Sequence, residues 1–122
     1  MNRIIIIGYG VQGKKRFNLL KKNVVAIVDP IEKSSTAKNI EDINPDTYDT
    51  AFLCTPDNQK KKILEYLIRV NKHIIVEKPL FPITNSILSN YNQILKLNKK
   101  VLYVCYNHRF EPNLNDVKNY IS

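Results

Sequence analysis

The chain has 122 residues, 43% hydrophobic and 25% charged, a balance typical of one soluble globular domain and unlike that of a disordered chain. Its apolar runs, such as residues 4–7, are far too short to cross a bilayer or to form a signal-peptide core, so we expect a cytoplasmic protein without membrane contact. The formal net charge of +8 favours an anionic ligand without identifying it.

The positive charge is gathered in short clusters on or beside predicted helices: Lys14-Lys15-Arg16, Lys21-Lys22, Lys60-Lys61-Lys62 and Lys99-Lys100. We interpret these clusters as solvated helix faces. Weak attraction to anionic ligands or to nucleic acid is the alternative, but no aromatic residues interleave with the cations as single-strand binding requires. No specific nucleic-acid partner is therefore expected.

Apolar runs alternate with apolar residues at helical spacing. Strands are predicted at residues 2–7, 24–28, 50–54, 73–76 and 101–105. Helices are predicted from Val11 to about Lys22, around an inner face of Ile63, Leu64, Leu67 and Ile68, and after a cap at Thr84. Asn71 is expected to end the second helix in the left-handed conformation. Between residues 31 and 49 we expect only a short strand near 36–38 and a helical turn near 40–43.

The first and third helices have a predicted inner face as well. In the first helix it consists of Val11, Phe17 and Leu20, with Gly13 packed close to the sheet. In the third helix it consists of Ile87, Leu88, Tyr91, Ile94 and Leu95. The alternation of strands and helices predicts an α/β fold, a Rossmann-type doubly wound parallel sheet in a single domain.

The cysteines form no close-spaced pair for metal or redox chemistry. Cys54 and Cys105 each lie at the carboxyl end of a predicted strand. If another strand lies between these two, their α carbons are about 9–10 Å apart, beyond disulfide reach. We predict free buried thiols and no metal site.

The strongest local motif is Gly8-Tyr9-Gly10-Val11-Gln12-Gly13, directly after a buried strand and at the start of a helix. In this context Gly8 permits a tight turn, Gly10 lets the backbone approach a pyrophosphate, and Gly13 lets the helix pack on the sheet. The free N–H groups at the helix start then bind phosphate. The alternative is that the glycines serve only a sharp turn.

Asp29 ends the second predicted strand, 16 residues after Gly13. A carboxylate there can accept both hydroxyls of an adenosine ribose and repels a 2′-phosphate, which favours NAD over NADP. The alternative is an ordinary turn-forming aspartate before a proline. Lys33 nearby keeps NADP from being excluded.

Three further strings follow predicted strands: Cys54-Thr55-Pro56, Glu77-Lys78-Pro79 and residues 106–112, YNHRFEP. The carboxyl ends of parallel strands meet at one edge, so we expect these strings to line one crevice with the glycine motif. Lys78 is the candidate catalytic residue, because a lysine in such a crevice can hydrogen-bond a substrate hydroxyl or move its proton. The alternative is a Glu77–Lys78 surface pair.

The order of these motifs resembles the glucose-fructose oxidoreductase, inositol dehydrogenase and MocA family. The resemblance extends from residue 3 to about residue 118. It implies hydride transfer between nicotinamide and a hydroxyl-bearing carbon of a sugar, inositol or nucleotide sugar. It also implies that Lys78 lies near the reacting hydroxyl and that Asn107 and Arg109 border the nicotinamide or substrate side. Thr55, Pro56 and Glu77 join the glycine motif, including Val11 and Gln12, as cofactor-binding candidates.

The chain departs from this family at several points. Lys60 stands where the family often has histidine, Asn71 replaces a usual glycine, and residues 31–49 form a shorter segment than usual. We expect residues 1–122 to be the NAD(P)-binding domain, residues 106–122 to begin the connection to a missing substrate domain, and the chain alone to be catalytically incomplete.

Several interpretations remain open. A non-catalytic NAD-binding or sensing module that needs a partner chain is the main alternative, and a basic nucleic-acid binder that shares the fold is the weaker one. His73 reads as structural, and the role of His108 is open between ligand contact and packing. The resemblance also leaves a homo-oligomer open.

Overall fold

Strands and helices alternate along the chain, as the sequence predicts. The computed structural model describes residues 3–55, 57–77 and 85–105. The strands are β1 (Ile4–Ile7), β2 (Val24–Val28), β3 (Thr50–Leu53), β4 (His73–Glu77) and β5 (Leu102–Cys105). The helices are α1 (Val11–Leu20), α2 (Asp57–Arg69) and α3 (Asn85–Leu97), and 3₁₀ turns lie at Ile40–Asp42 and Pro45–Thr47. The cap predicted at Thr84 lies outside the described residues.

The described strands form one parallel sheet with the order β2-β1-β3-β4-β5. The chain moves outward from β1 to β2, then returns to the other side of β1 and continues through β3, β4 and β5. The order therefore reverses between β1 and β3, and ligands of open parallel sheets bind beyond the carboxyl ends of the strands at such a point. The predicted doubly wound α/β sheet is confirmed. Because β4 separates β3 from β5, the backbone positions of Cys54 and Cys105 are also separated as predicted, and Cys54 is a partly buried free thiol.

Both faces of the sheet are covered, which explains the continuous apolar runs of the strands. On one face Ile5 and Ile7 of β1 belong to the larger core cluster, together with buried residues of α2 and α3. On the other face Ile4 and Ile6 pack with Leu20 of α1 in a smaller cluster. The predicted inner face of α2 is confirmed, since Leu64, Leu67 and Ile68 are buried and Ile63 packs against them.

The predicted inner face of α1 is wrong at Val11, which is 73% exposed. The residues that α1 buries are Gly13, Arg16 and Leu20, with Phe17 partly buried beside them. At about 100° per residue, Val11 lies on the opposite side of the helix from this stripe. The buried Arg16 also corrects the interpretation of Lys14-Lys15-Arg16 as a wholly solvated cluster, and the buried Lys60 corrects it for Lys60-Lys61-Lys62.

Helix α3 packs through a narrower stripe than predicted. Tyr91 and Leu95, one turn apart, are buried in the larger cluster, whereas Ile87 and Ile94 are exposed. The Tyr91 hydroxyl donates to Glu65 of α2 at 2.8 Å, so α3 leans on its neighbouring helix as well as on the sheet. The side chain of Leu88, another residue of the predicted face, lies outside the described part of the chain.

The segment between β2 and β3 has little regular structure, as predicted. The short strand expected near residues 36–38 is a single parallel bridge between Val28 and Ala37, and the helical turn is the 3₁₀ turn at Ile40–Asp42. The predicted left-handed stop at Asn71 is confirmed by its φ of +60°. Within the described part of the chain, no helix has the length and apolar character needed to cross a membrane.

A buried histidine ties β4 to β5. The backbone N–H of Val101 donates to Nδ1 of His73 at 3.3 Å. Burial, and after it the positive charge of Lys100, lowers the pKa of His73, while Asp49 opposes the shift. A protonated Nδ1 could no longer accept this hydrogen bond.

We therefore expect the stability of the fold to decrease as the pH falls through about 6.5, the ordinary histidine pKa, toward the lower pKa of folded His73. In this pH range His73 binds a proton more readily in the unfolded chain than in the folded one. Neutral His73 therefore makes its full contribution to stability only above this range. Urea midpoints at about pH 7.5 and about pH 5.5 measure the effect, well above the range in which ordinary carboxylates titrate. His73→Gln should reduce the difference. His108→Gln, at the other of the two histidines, is the control, and an undiminished difference in His73→Gln would contradict this role.

Candidate functional site

The turn between β1 and α1 can be built only with glycine at Gly8. Its φ is +92°, a conformation that other residues rarely adopt. A Cβ at Gly8 would also lie 2.8 Å from the carbonyl carbon and oxygen of Cys54. The first glycine of the motif therefore lets the turn pack directly on the backbone that follows β3.

The other two glycines of the motif stand in opposite surroundings. A Cβ on Gly13 would collide with the carbonyl oxygen of Gly8, so Gly13 is required for α1 to start this close to the sheet. A Cβ on Gly10 would meet nothing within 4 Å, and the backbone at Gly10 is extended with a φ of −79°. Nothing among the described residues thus requires glycine at position 10. A ligand that approaches this backbone would require glycine at position 10.

Asp29 follows β2 and its carboxylate is held by the backbone. Its Oδ2 accepts from the N–H of Tyr9 at 2.7 Å, and its Oδ1 accepts from the N–H groups of Ile31 and Glu32 at 2.8 and 2.9 Å. Burial alone would raise the pKa of Asp29, but these three hydrogen bonds and the charge of Lys14 together lower it. Asp29 is therefore ionised and joins the glycine turn to the loop after β2.

These contacts leave Asp29 less acceptor capacity than the sequence interpretation assumes. A carboxylate offers about four acceptor positions, of which the backbone uses three. One position on Oδ2 remains for a ribose hydroxyl. Both ribose hydroxyls could bind Asp29 only if the loop after it gave up a hydrogen bond.

A cavity of about 270 Å³ opens beside the carboxyl ends of β1 and β2. A cavity of this size takes part of a dinucleotide rather than a whole one, since complete ligand pockets measure about 300–1,000 Å³. Most of its lining was not predicted from the sequence, because residues 31–49 carry no recognisable motif. The lining residues are Ile7, Val28, Pro30, Lys38, Asn39, Ile40, Glu41, Thr55, Gln59, Lys62 and Ile63.

Two lysines line this cavity, but Lys33, the lysine that the sequence analysis placed near Asp29, is not one of them. Lys38 and Lys62 line it together with Glu41. Thr55 also lines the cavity, and its buried Oγ1 has no hydrogen-bond partner among the described residues. The same holds for the buried Oε1 of Gln12 in the first turn of α1. The Thr55 hydroxyl can donate or accept a hydrogen bond, and Oε1 of Gln12 can accept one.

Glu77 is turned inward rather than toward a ligand. Its side chain is almost completely buried and accepts a hydrogen bond from Nε of Arg16 at 2.5 Å. Nζ of Lys60 donates to the backbone oxygen of Glu77 at 2.7 Å. The Glu77 side chain is therefore not on the surface, as the surface pair with Lys78 that the sequence left open would require. Lys78 itself lies outside the described residues.

The remaining predicted site residues, Pro56, Lys78, Asn107 and Arg109, lie outside the described residues, as does His108. The described candidates nevertheless converge on one edge of the sheet. The glycine turn, Asp29 and Thr55 follow β1, β2 and β3, the strands on either side of the order reversal. Backbone N–H groups, a carboxylate and an adjoining cavity are the elements that bind a nucleotide with phosphate groups. No group of three metal-ligating side chains occurs in residues 3–55, 57–77 and 85–105.

Comparisons with known proteins agree with this arrangement. A family model described as an oxidoreductase family with an NAD-binding Rossmann fold matches residues 2–106. A search of curated proteins gave no match. Solved structures match at low sequence identity.

GenD2 from gentamicin A biosynthesis, in complex with NAD, has a TM-score of 0.71 and 18% identity, over 85% of this chain and 34% of its own. A probable dehydrogenase from Thermotoga maritima has a TM-score of 0.69 and 24% identity, over 98% of this chain and 40% of its own. The UDP-N-acetylglucosamine 3-dehydrogenase GnnA from Acidithiobacillus ferrooxidans has a TM-score of 0.74 and 16% identity, over 97% of this chain and 42% of its own.

At these identities the structural likeness shows the fold, and the chain spans only 34% to 42% of the length of these three proteins. The family model covers most of the chain, including the glycine motif, Asp29 and the strand that ends at Glu77. The chain belongs to the glucose-fructose oxidoreductase, inositol dehydrogenase and MocA family of oxidoreductases, with an NAD-binding Rossmann fold.

Proposed function

We propose that this domain holds NAD across the carboxyl edge of its sheet, in an oxidoreductase that acts on a hydroxyl-bearing carbon of a sugar, inositol or nucleotide sugar. The observation that carries the proposal is the open space at Gly10, at the start of α1, in a turn whose other two glycines are fixed by backbone contacts. A pyrophosphate against the N–H groups of Gly10, Val11 and Gln12 explains why position 10 has no side chain. The exposed Val11 is available to the ligand as well.

The adenosine end of the cofactor is assigned to the loop after β2. Asp29 would accept one ribose hydroxyl on its remaining Oδ2 position, and its charge would repel a 2′-phosphate, which favours NAD over NADP. The adjoining cavity would take the adenine, with Thr55 at its β3 side. Pro56, the next residue, is assigned to the same cofactor by the family resemblance alone. Lys38 and Lys62 would attract phosphate from the rim without contacting Asp29.

The nicotinamide end is assigned to the strand ends beyond β3. NAD accepts or donates the hydride, and the protein orients it. Lys78, the residue after buried Glu77, would hydrogen-bond the substrate hydroxyl and take or return its proton. Asn107 and Arg109 would border the same end. The name of one similar structure, a UDP-N-acetylglucosamine 3-dehydrogenase, supports a sugar-type substrate.

The glycine turn gives the most direct test. Gly10→Ala should weaken NAD binding at least tenfold, because the added methyl occupies the space assigned to the pyrophosphate, while stability changes by about 1 kcal/mol or less. Gly13→Ala should instead destabilise the fold by roughly 1–3 kcal/mol or more, because its Cβ meets the Gly8 carbonyl. Calorimetric titration and urea unfolding separate the two effects. Unchanged NAD affinity in Gly10→Ala would remove the main support for the proposal.

Cofactor choice is expected to depend on Asp29. Asp29→Asn keeps an oxygen for the N–H groups of Ile31 and Glu32 but removes the charge, so affinity for NAD should fall and its advantage over NADP should narrow at least tenfold. Titration of wild type and variant with both cofactors measures this ratio. Asp46→Asn, at an exposed aspartate away from the cavity, is the matched control. A wild type that prefers NADP would overturn the assignment.

Lys78 is expected to affect turnover and not cofactor affinity. Lys78→Ala should reduce kcat by about 10²–10⁴-fold, the usual contribution of a positioned acid–base group, and should change the Kd for NAD less than threefold. The assay uses a form of the protein that is active on a panel of sugars, inositols and nucleotide sugars. Activity within a few-fold of wild type would reduce Lys78 to a structural residue.

A further inference from the structure

Three charged side chains are buried together where β4 ends. Arg16, Lys60 and Glu77 are 1%, 2% and 3% exposed. Arg16 donates to the carboxylate of Glu77, and its guanidinium also lies 5.9 Å from the ring centre of Phe52. Lys60 donates to the backbone oxygen of the same glutamate. Two cations, one from α1 and one from α2, thus donate to Glu77, one to its side chain and one to its backbone.

Stability alone does not explain such a cluster. Moving charged groups out of water carries a large desolvation penalty, and apolar residues of similar volume often replace buried ion pairs with no loss of stability. What apolar residues would not provide is a fixed orientation at Glu77. The cluster is therefore better explained by the geometry that it imposes.

The geometry bears on the next residue along the chain. The oxygen that Lys60 holds belongs to the peptide unit between Glu77 and Lys78. This unit is planar, so holding its oxygen fixes the direction in which the backbone leaves toward Lys78. Arg16, which follows Gly13 by three residues in α1, fixes the same strand end through the side chain of Glu77.

We infer that Arg16 and Lys60 are positioning residues for Lys78, acting through Glu77. They tie the strand end that precedes Lys78 to α1, which begins at the glycine turn, and to α2, which follows Thr55. We expect these buried contacts to contribute to the distance between the bound dinucleotide and Lys78. This inference rests on the proposed role of Lys78 at the nicotinamide end.

The test measures whether NAD shields the Lys78 amine. Trace labelling of all lysines with acetic anhydride, read by peptide mass spectrometry with and without saturating NAD, gives a protection ratio for Lys78. In the wild type we expect NAD to slow the labelling of Lys78 several-fold. Lys60→Met should lower this ratio to less than half, even at saturating NAD, with the Kd for NAD changed less than threefold. Lys61→Met, at the exposed neighbouring lysine, is the matched control and should leave the ratio unchanged.

A conservative substitution at Lys60 distinguishes a positioning role of this residue from a packing role. Lys60→Arg keeps a cationic donor and should return the protection ratio toward the wild-type value. If Lys60→Met fails to fold, the double variant Arg16→Met/Glu77→Met removes the ion pair without leaving an unpaired charge, and it should lower the ratio in the same way. A variant that lowers the unfolding temperature but keeps full protection of Lys78 would show a structural role only and overturn the inference.

The outcomes also separate this inference from the proposed function. If wild-type Lys78 shows no protection at saturating NAD, the assignment of Lys78 to the nicotinamide end fails, and the positioning role fails with it. If the wild type is protected and Lys60→Met and the double variant are protected equally, only the positioning role fails.

Discussion

Helix α1 starts so close to the sheet that its first turn lies against the carbonyl oxygen of Gly8, a contact that any side chain at Gly13 would block. Gly8 in turn lies on the backbone of Cys54 and Thr55, where β3 ends. These two contacts join β1, β3 and α1 at the point where the strand order reverses. The start of α1 therefore lies at the carboxyl ends of β1 and β3, where the strand order reverses and where open parallel sheets bind ligands.

The contacts of Asp29 extend this arrangement to the neighbouring strand. By accepting from Tyr9 in the glycine turn and from Ile31 and Glu32 in its own loop, the carboxylate joins the glycine turn to the loop after β2. The backbone hydrogen bonds also keep it ionised despite partial burial. Because the backbone already uses three of the roughly four acceptor positions of this carboxylate, only one position remains for a further hydrogen bond.

The opposite side of the site is organised by buried charge. Glu77 lies two residues after Ile75, which pairs with Phe52 in the smaller core cluster, so its side chain is on the face of the sheet that α1 covers. In these apolar surroundings an unpaired carboxylate would be costly. Arg16 of α1 donates to this carboxylate, and Lys60 of α2 donates to the backbone oxygen of the same residue. The same sheet edge thus carries the glycine turn next to β1 and an ionic cluster at the end of β4, with β3 between these two strands.

The sequence by itself determined the alternation of strands and helices, the glycine turn and the acidic residue after β2, because period, backbone conformation and turn chemistry are local properties. Even the exposure of Val11 follows from the helical period once Gly13, Phe17 and Leu20 define the inner stripe. Arg16 and Lys60 were different: each belongs to a run of basic residues that locally resembles a solvated surface. Their partner Glu77 is 61 and 17 residues away, and only the packing of α1 and α2 against the end of β4 decided that these two cations are buried while their neighbours face water.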